Sequence, residues 1–297
     1  MSMPRCISLC SGGGVSEALG SLMDVILAVE AGFSAASTFK ANYPKVEVSL
    51  RDIADPKTIR EAQKAVGRVD VISSGAPCQD FSCANQADRV RSGRNMLYLR
   101  AIDWVEDFQP MAFVAENVPN LTNAIQWIAA VTRLRKIGYQ VAYWTLDAAD
   151  FGTPQHRQRV FLIAVRAGLH LPKRPFATHG PGLLPHVSVS DALVGLECPL
   201  AEGLQGMSPK FQWLLRGIPP GKNWRWIEEN LHIPGNRRRW EYIKYRYGGV
   251  PYNQQAASRL SPSEPCHTLL TAPSICRMAR TVHPGCGSGD GWRVHSK

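Results

Sequence analysis

The pattern of apolar and polar positions divides the chain into two parts. Up to about residue 170, short apolar runs rich in β-branched residues alternate with segments of helical character. Arg5–Leu9 reads as a first strand, followed by the turn Ser11-Gly12-Gly13-Gly14 and a helix starting near Val15 or Ser16. Val25–Val29 reads as a second strand ending at Glu30, and Ala35–Asn42 as a helix. Val46–Leu50 reads as a third strand with Asp52 just beyond it, and Val69–Ser73 as a fourth running into Gly75-Ala76-Pro77-Cys78. Leu97–Phe108 has helical spacing, Met111–Ala115 is a strand ending at Glu116, and Arg159–Val165 is a later apolar strand. This alternation predicts an α/β fold, a mostly parallel sheet with helices on both faces. In such sheets ligands sit beyond the carboxyl ends of the strands. Gly12, Gly13, Gly14, Glu30, Asp52, Cys78 and Glu116 all fall there, so one pocket is expected to gather them.

Beyond Val165 the pattern changes. Residues 170–222 are punctuated by PKRP, HGPG and PPG, which read as loops. Between Lys210 and Arg246 there are nine Lys or Arg against three acids, interleaved with Trp213, Trp224, Trp226, Trp240, Tyr242 and Tyr245. A second, smaller, less regular domain is expected here, with at least half of its aromatic rings forming its own core. The predicted division is 1–168 for a catalytic and cofactor-binding domain, 169–275 for the second region and 276–297 for an atypical tail.

Composition narrows the classes. A chain of 297 residues, 44% apolar, can bury one large core and a smaller one. No apolar run approaches the roughly 20 residues that span a bilayer. The start MSMPRCISLC lacks a basic stretch followed by a long apolar one, so the cytoplasm is the expected compartment. The eight cysteines form no CxxC pair, which argues against a disulfide-stapled domain and against zinc; no metal is expected. A net charge of +10 favours a polyanionic partner such as nucleic acid.

Four short motifs carry chemistry. A strand, a Gly-rich turn, a helix and then an acid after the next strand make a nucleotide-type site; the glycines admit close backbone approach, and Glu30 can accept from ribose hydroxyls. This signal does not separate a dinucleotide from S-adenosylmethionine. Cys78, in Gly75-Ala76-Pro77-Cys78-Gln79, lies on a loop after a strand, where a thiol can be activated as thiolate; an inert loop cysteine is the bland alternative. Glu116, in Glu116-Asn117-Val118, would stand at the lip of a pocket, where a carboxyl group can carry a proton near neutrality. In Gln155-His156-Arg157-Gln158-Arg159, alternation puts Gln155, Arg157 and Arg159 on one side, away from His156 and Gln158. Two guanidiniums on one face suit a phosphate or a base carbonyl, and His156 reads as a packing or surface residue.

Taken in order, ISLCSGGG, VE, DI, GAPCQDFS, ENV and QHRQRVFLIA resemble the conserved blocks of the bacterial cytosine-5 DNA methyltransferases. PPGKNW, Gly248-Gly249 before Arg259-Leu260, EPCHTLLTAP and HPG are similar to the end of that family's recognition region. The resemblance implies a Rossmann-like S-adenosylmethionine-dependent methyltransferase fold with a smaller target-recognition domain. It implies that Cys78 adds to C6 of a cytosine flipped from duplex DNA, because C6 is inaccessible in the stack. Glu116 would hold and protonate N3, Arg159 would contact the cytosine, and Arg157 would help order the loop and backbone. For the donor, S-adenosyl-L-methionine, it implies Leu9, Gly12, Gly13, Gly14, Glu30 at the ribose, Ala31, Asp52 and Ile53 at the adenine, Pro77 and Leu97. For DNA it implies Gln79, Ser82 and Gln155, with Arg237, Arg238 and Arg239 meeting phosphate.

Four departures from the family accompany the match. Ser11 replaces the usual turn glycine and Leu9 the usual Phe, and Ala31 replaces a larger adenine-facing residue. After His283-Pro284-Gly285 the chain reads GCGSGDGWRVHSK, where the family continues with a helix-rich block and a GNxV-type segment. That ending is read as a truncation, or as one half of a split enzyme completed by a C-terminal polypeptide. Two further readings stand beside the main one: a transfer-RNA cytosine-5 methyltransferase and an inactive DNA-binding protein.

Overall fold

In a computed structural model the described residues are 2–12, 20–77, 97–194, 209–251 and 257–268. The elements, in order, are β1 (Arg5–Leu9), β2 (Asp24–Val29), α1 (Phe33–Asn42), β3 (Glu47–Ser49), α2 (Pro56–Ala65) and β4 (Val71–Ser74). Then follow α3 (Leu97–Phe108), β5 (Ala112–Asn117), α4 (Ile125–Lys136), β6 (Tyr139–Asp147), β7 (Gln155–His156) and β8 (Gln158–Arg166). The last described are α5 (Val189–Leu193), α6 (Pro209–Arg216), α7 (Trp224–Glu229), α8 (Asn236–Tyr247) and β9 (Cys266–His267). The chain forms two compact units, Met1–Leu146 with Gln158–Pro175, and Asp147–Arg157 with Phe176–Lys297.

The first unit is a seven-stranded sheet in the order β3-β2-β1-β4-β5-β8-β6. β1, β2, β3, β4 and β5 pair in parallel, whereas β8 runs antiparallel to β5. The expected mostly parallel α/β sheet is therefore present. One face buries Ile7, Leu9, Ile72, Phe113 and Leu162 against α2, α3 and α4; the other buries Cys6, Val25, Ala28 and Val71 against Phe39 of α1. β1 and β4 are buried along nearly all their length, as strands covered on both faces must be.

Local sequence explains elements that the apolar pattern alone did not predict. α2 has Asp55 at its N-cap, whose side chain accepts from the Lys57 N–H, with Pro56 in the first turn. α4 buries Trp127, Ala130, Val131 and Leu134, a spacing of three and four that makes one helical stripe. Arg133 of α4 then pairs with Asp103 at 2.7 Å and with Glu106, tying α4 to α3. β6 was not foreseen either, and β5 extends past the expected Ala115 so that Glu116 lies within the strand.

The second unit has its own core of Leu214, Leu215, Ile218, Trp224, Ile227, Trp240 and Ile243, with Trp213, Trp226, Tyr242 and Tyr247 packed against it. Trp224 and Trp240 stack with ring centroids 5.7 Å apart. Of the six aromatic residues singled out above, only Tyr245 stands clear, 85% exposed. Among the described residues no helix is long and apolar enough to cross a membrane, and no group of three or more His, Cys, Asp or Glu could hold a metal ion.

Candidate active site

The carboxyl ends of β1 and β2 build the first half of the site. Leu9 is fully buried at the end of β1, and the chain then turns through Cys10 and Gly12, both with left-handed backbone (φ 51° and 45°). Among the described residues a Cβ at Gly12 would meet nothing within 4 Å, which leaves open space beside its backbone. Glu30 follows β2 and closes the turn from the far side: its carboxylate accepts from the Gly12 N–H at 3.2 Å and from the Gly32 N–H at 2.9 Å. Ser11, which replaces the family's glycine, is buried with its hydroxyl donating to the Ser8 carbonyl at 2.9 Å. Its polar atom is thus absorbed locally.

The Cys10 thiol reports on what surrounds it. Burial, together with the charges of Glu30 and Asp52, pushes its pKa up to about 12. Such a thiol stays protonated and is no nucleophile at neutral pH. Glu30 and Asp52 follow neighbouring strand ends, since β2 and β3 pair in parallel and the Glu30 N–H donates to the Ser49 carbonyl at 3.0 Å. Asp52 accepts from the Ala54 N–H at 2.8 Å, and buried Ile53 is pinned through its carbonyl, which accepts from the Trp104 indole N–H at 3.1 Å. Ala31 and Pro77 are exposed, and Leu97 packs half-buried on the core.

The second half of the site is built on β5 and β8. Glu116 lies opposite Phe161 in the antiparallel register, so Arg159, two residues earlier in β8, is its diagonal neighbour on the same face. The Arg159 Nε stands 2.9 Å from a Glu116 carboxylate oxygen, and both side chains are about four-fifths buried (17% and 21% exposed). Two of the expected catalytic residues are therefore in contact. The next residue, Asn117, points to the opposite face; it is buried, and its side-chain amide donates to the Ala76 carbonyl at 3.1 Å. That bond fixes the loop that leads into Cys78, while Gly75 N–H donates to the Leu9 carbonyl at 3.1 Å. Asn117 was not singled out from sequence, although it stands inside the ENV motif. Gly13, Gly14, Cys78, Gln79 and Ser82 lie outside the described residues.

The Gln155–Arg159 stretch is not one extended segment. β7 ends at His156 and β8 starts at Gln158, with Arg157 between them outside either strand. Exposure still alternates: Gln155, Arg157 and Arg159 are half-buried, and His156 and Gln158 are exposed. Gln155 and Arg157 belong to the second unit and Arg159 to the first. In α8 the arginine triplet is divided. Arg237 and Arg238 are exposed and Arg239 is half-buried; Arg238 and Arg239 both lie over the Trp213 ring, at 5.6 and 5.0 Å, and Arg239 also donates to the Trp213 carbonyl at 3.3 Å. Burial lowers the pKa of Arg239, in keeping with a packed rather than a solvated cation. Of the three arginines expected to meet phosphate, Arg239 also makes contacts within its own unit.

The Glu30 carboxylate held by the Gly12 and Gly32 N–H groups and the Glu116–Arg159 pair are the polar features at these strand ends. The C-5 cytosine-specific DNA methylase family matches residues 4–190. The chain belongs to that family. It is 34% identical over 212 residues to the Type II methyltransferase M.AgeI of Thalassovita gelatinovora, covering 63% of this chain and 49% of that protein. It is also 34% identical over 219 residues to the Type II methyltransferase M.AquIA of Picosynechococcus, covering 64% of this chain and 87% of that protein. The chain thus spans about half the length of the first relative and most of the second. A prophage-encoded protein of E. coli, described as a DNA modification methyltransferase, shares the fold with a TM-score of 0.61 at 24% identity over 90% of this chain and 82% of its own. The Spodoptera frugiperda DNMT2 shares it with a TM-score of 0.54 at 20% identity over 72% and 65%.

Proposed function

We propose that this chain transfers a methyl group from S-adenosyl-L-methionine to C5 of a cytosine flipped out of duplex DNA. The observation that carries the reading is the Glu116–Arg159 pair, 2.9 Å apart at the end of β5 in a chain of the cytosine-5 methylase family. The donor fits the turn: Gly12 leaves open space, and Glu30 is held by two backbone N–H groups with its charge at the lip. Leu9, Gly12, Gly13, Gly14, Glu30, Ala31, Asp52, Ile53, Pro77 and Leu97 would hold it. When bound, the donor supplies an electrophilic methyl group.

The chain's own groups do the rest. Cys78, as thiolate, adds to C6 and makes C5 nucleophilic. Glu116 holds N3 and delivers the proton that neutralises charge building on the ring. Arg159 keeps that carboxyl in place and offers N–H donors to the base. After methylation a base takes the C5 proton, the C5–C6 double bond re-forms and Cys78 leaves as thiolate. Arg157 orders the neighbouring backbone. Gln79, Ser82 and Gln155, with exposed Arg237 and Arg238, would contact DNA; cations of this kind on phosphate give affinity without sequence information. The cytoplasm is the compartment proposed with this substrate.

The deciding experiment offers duplex DNA carrying 5-fluorocytosine together with the donor. A denaturant-stable adduct that disappears in Cys78→Ser supports the reading. Non-covalent binding alone would make the chain an inactive DNA-binding protein, and a preference for transfer RNA over duplex DNA would replace the substrate.

A further inference from the structure

Arg157 is the point where the strand ladder stops, yet both its backbone polar groups are held. Its N–H donates to Asp147 Oδ1 at 2.9 Å, and its carbonyl accepts from the Ala148 N–H at 3.1 Å. The same Asp147 oxygen accepts from the Ala149 N–H at 3.2 Å, capping the short 3-10 turn Ala148–Phe151. Its other oxygen stands 3.2 Å from His156 Nδ1. One side chain, 15% exposed, therefore joins the turn after β6 to the two residues at the break between β7 and β8.

The turn is itself braced. Asp150 lies 3.1 Å from His186 Nε2, and its carbonyl accepts from the N–H groups of Thr178 and His179 at 2.9 and 3.0 Å. The His156 and His186 rings meet edge to face at 5.6 Å. Asp147 thus hangs from a fixed frame, and what it holds is fixed with it. Burial raises its carboxyl pKa, but the N–H donors of Ala149 and Arg157 and the His156 contact outweigh that and hold it below the usual range.

We infer that Asp147 is a positioning residue for Arg157, its carboxylate setting the backbone on which that guanidinium is carried. The inference rests on the reading that Arg157 serves methyl transfer. Small displacements of such groups are expensive, since a misplacement of about 1 Å can slow a reaction roughly 100-fold.

Four variants test it: D147A, D147N, R157A and D147A/R157A. Asparagine keeps an oxygen for both N–H donors and alanine keeps none. D147A is expected to lower kcat/KM by roughly 10- to 100-fold, mainly through kcat, and D147N to recover most of that. In the R157A background the same alanine change should cost less than about twofold, because no guanidinium is left to misplace. Hydrogen exchange at the Arg157 amide should quicken in D147A and stay slow in R157A. Equal penalties in both backgrounds, or unchanged exchange in D147A, overturn the inference. Should D147A not fold, D147E keeps the charge but moves the acceptor by one methylene; slower transfer at an unchanged melting temperature supports the inference, and wild-type rates oppose it. The exchange measurement needs no activity, so a chain that transfers no methyl group would sink the proposed function while leaving the hold on Arg157 to be judged separately.

Discussion

Arg159 and Arg157 stand two residues apart in one motif, and the protein holds them by different physical means. Arg159 is placed by a strand register and locked through its side chain to Glu116. Arg157 sits where pairing fails and is held through its backbone by Asp147 and Ala148. The difference extends to the units that carry them. The first unit sets its polar residues at the ends of strands whose packing on both faces leaves little choice of position. The second holds its cations by single contacts, as Arg238 and Arg239 over the Trp213 ring and the Arg239 bond to the Trp213 carbonyl show. A sheet fixes side chains by register; an irregular unit must fix them one hydrogen bond at a time.

The largest effect should come from breaking the strand-borne pair. Glu116→Gln cannot hand over a proton as an acid does, and methyl transfer should fall roughly 100- to 10,000-fold with the melting temperature little changed. Arg159→Ala should fall comparably, and the double variant should lose far less than the product of the two. Strict additivity in single-turnover assays would show that the contact does no joint work.

Next in size is the core of the second unit. Trp240 stacks on Trp224 and is 9% exposed, so Trp240→Ala should destabilise that unit by about 3–5 kcal/mol. If the two units are as distinct as their separate cores suggest, denaturant melts of this variant will show one transition moved and the other kept.

The smallest effect concerns pH. Burial raises Cys6 to about 11, and burial with Glu30 and Asp52 raises Cys10 to about 12, from an ordinary 9.0. Raised thiols favour the folded state fully below pH 9 and progressively lose that contribution as the pH climbs through the folded values. The first unit should therefore weaken between pH 9 and 12, and Cys10→Ser should flatten that slope in chemical-denaturation curves. An unchanged slope would mean that the thiol is more accessible to water than its surroundings indicate.

Much of this was legible in the chain. Periodicity and punctuation placed β1, β2, β4, β5, β8 and α3 to within a few residues, because apolar alternation is set by which face must be buried. The composition break near residue 170 announced a different kind of packing. Glu116 and Arg159 were picked out by motif before their contact was known. Asn117 and Asp147 were not, since each acts through a bond to a backbone group distant in sequence, Ala76 in one case and Arg157 in the other. No local pattern reports such a partner.

By itself, the sequence determined the residue types at the strand ends, the two kinds of core and the basic surplus, all of which follow from local pattern and composition. Only the tertiary structure decided that β8 runs antiparallel to β5, which makes Glu116 and Arg159 neighbours across 43 residues of chain. It also decided that the ladder breaks at Arg157 and that Arg239 donates to the Trp213 carbonyl. The reason is physical: pairing direction and buried contacts are settled by which distant surfaces meet, and that information lies in no single segment.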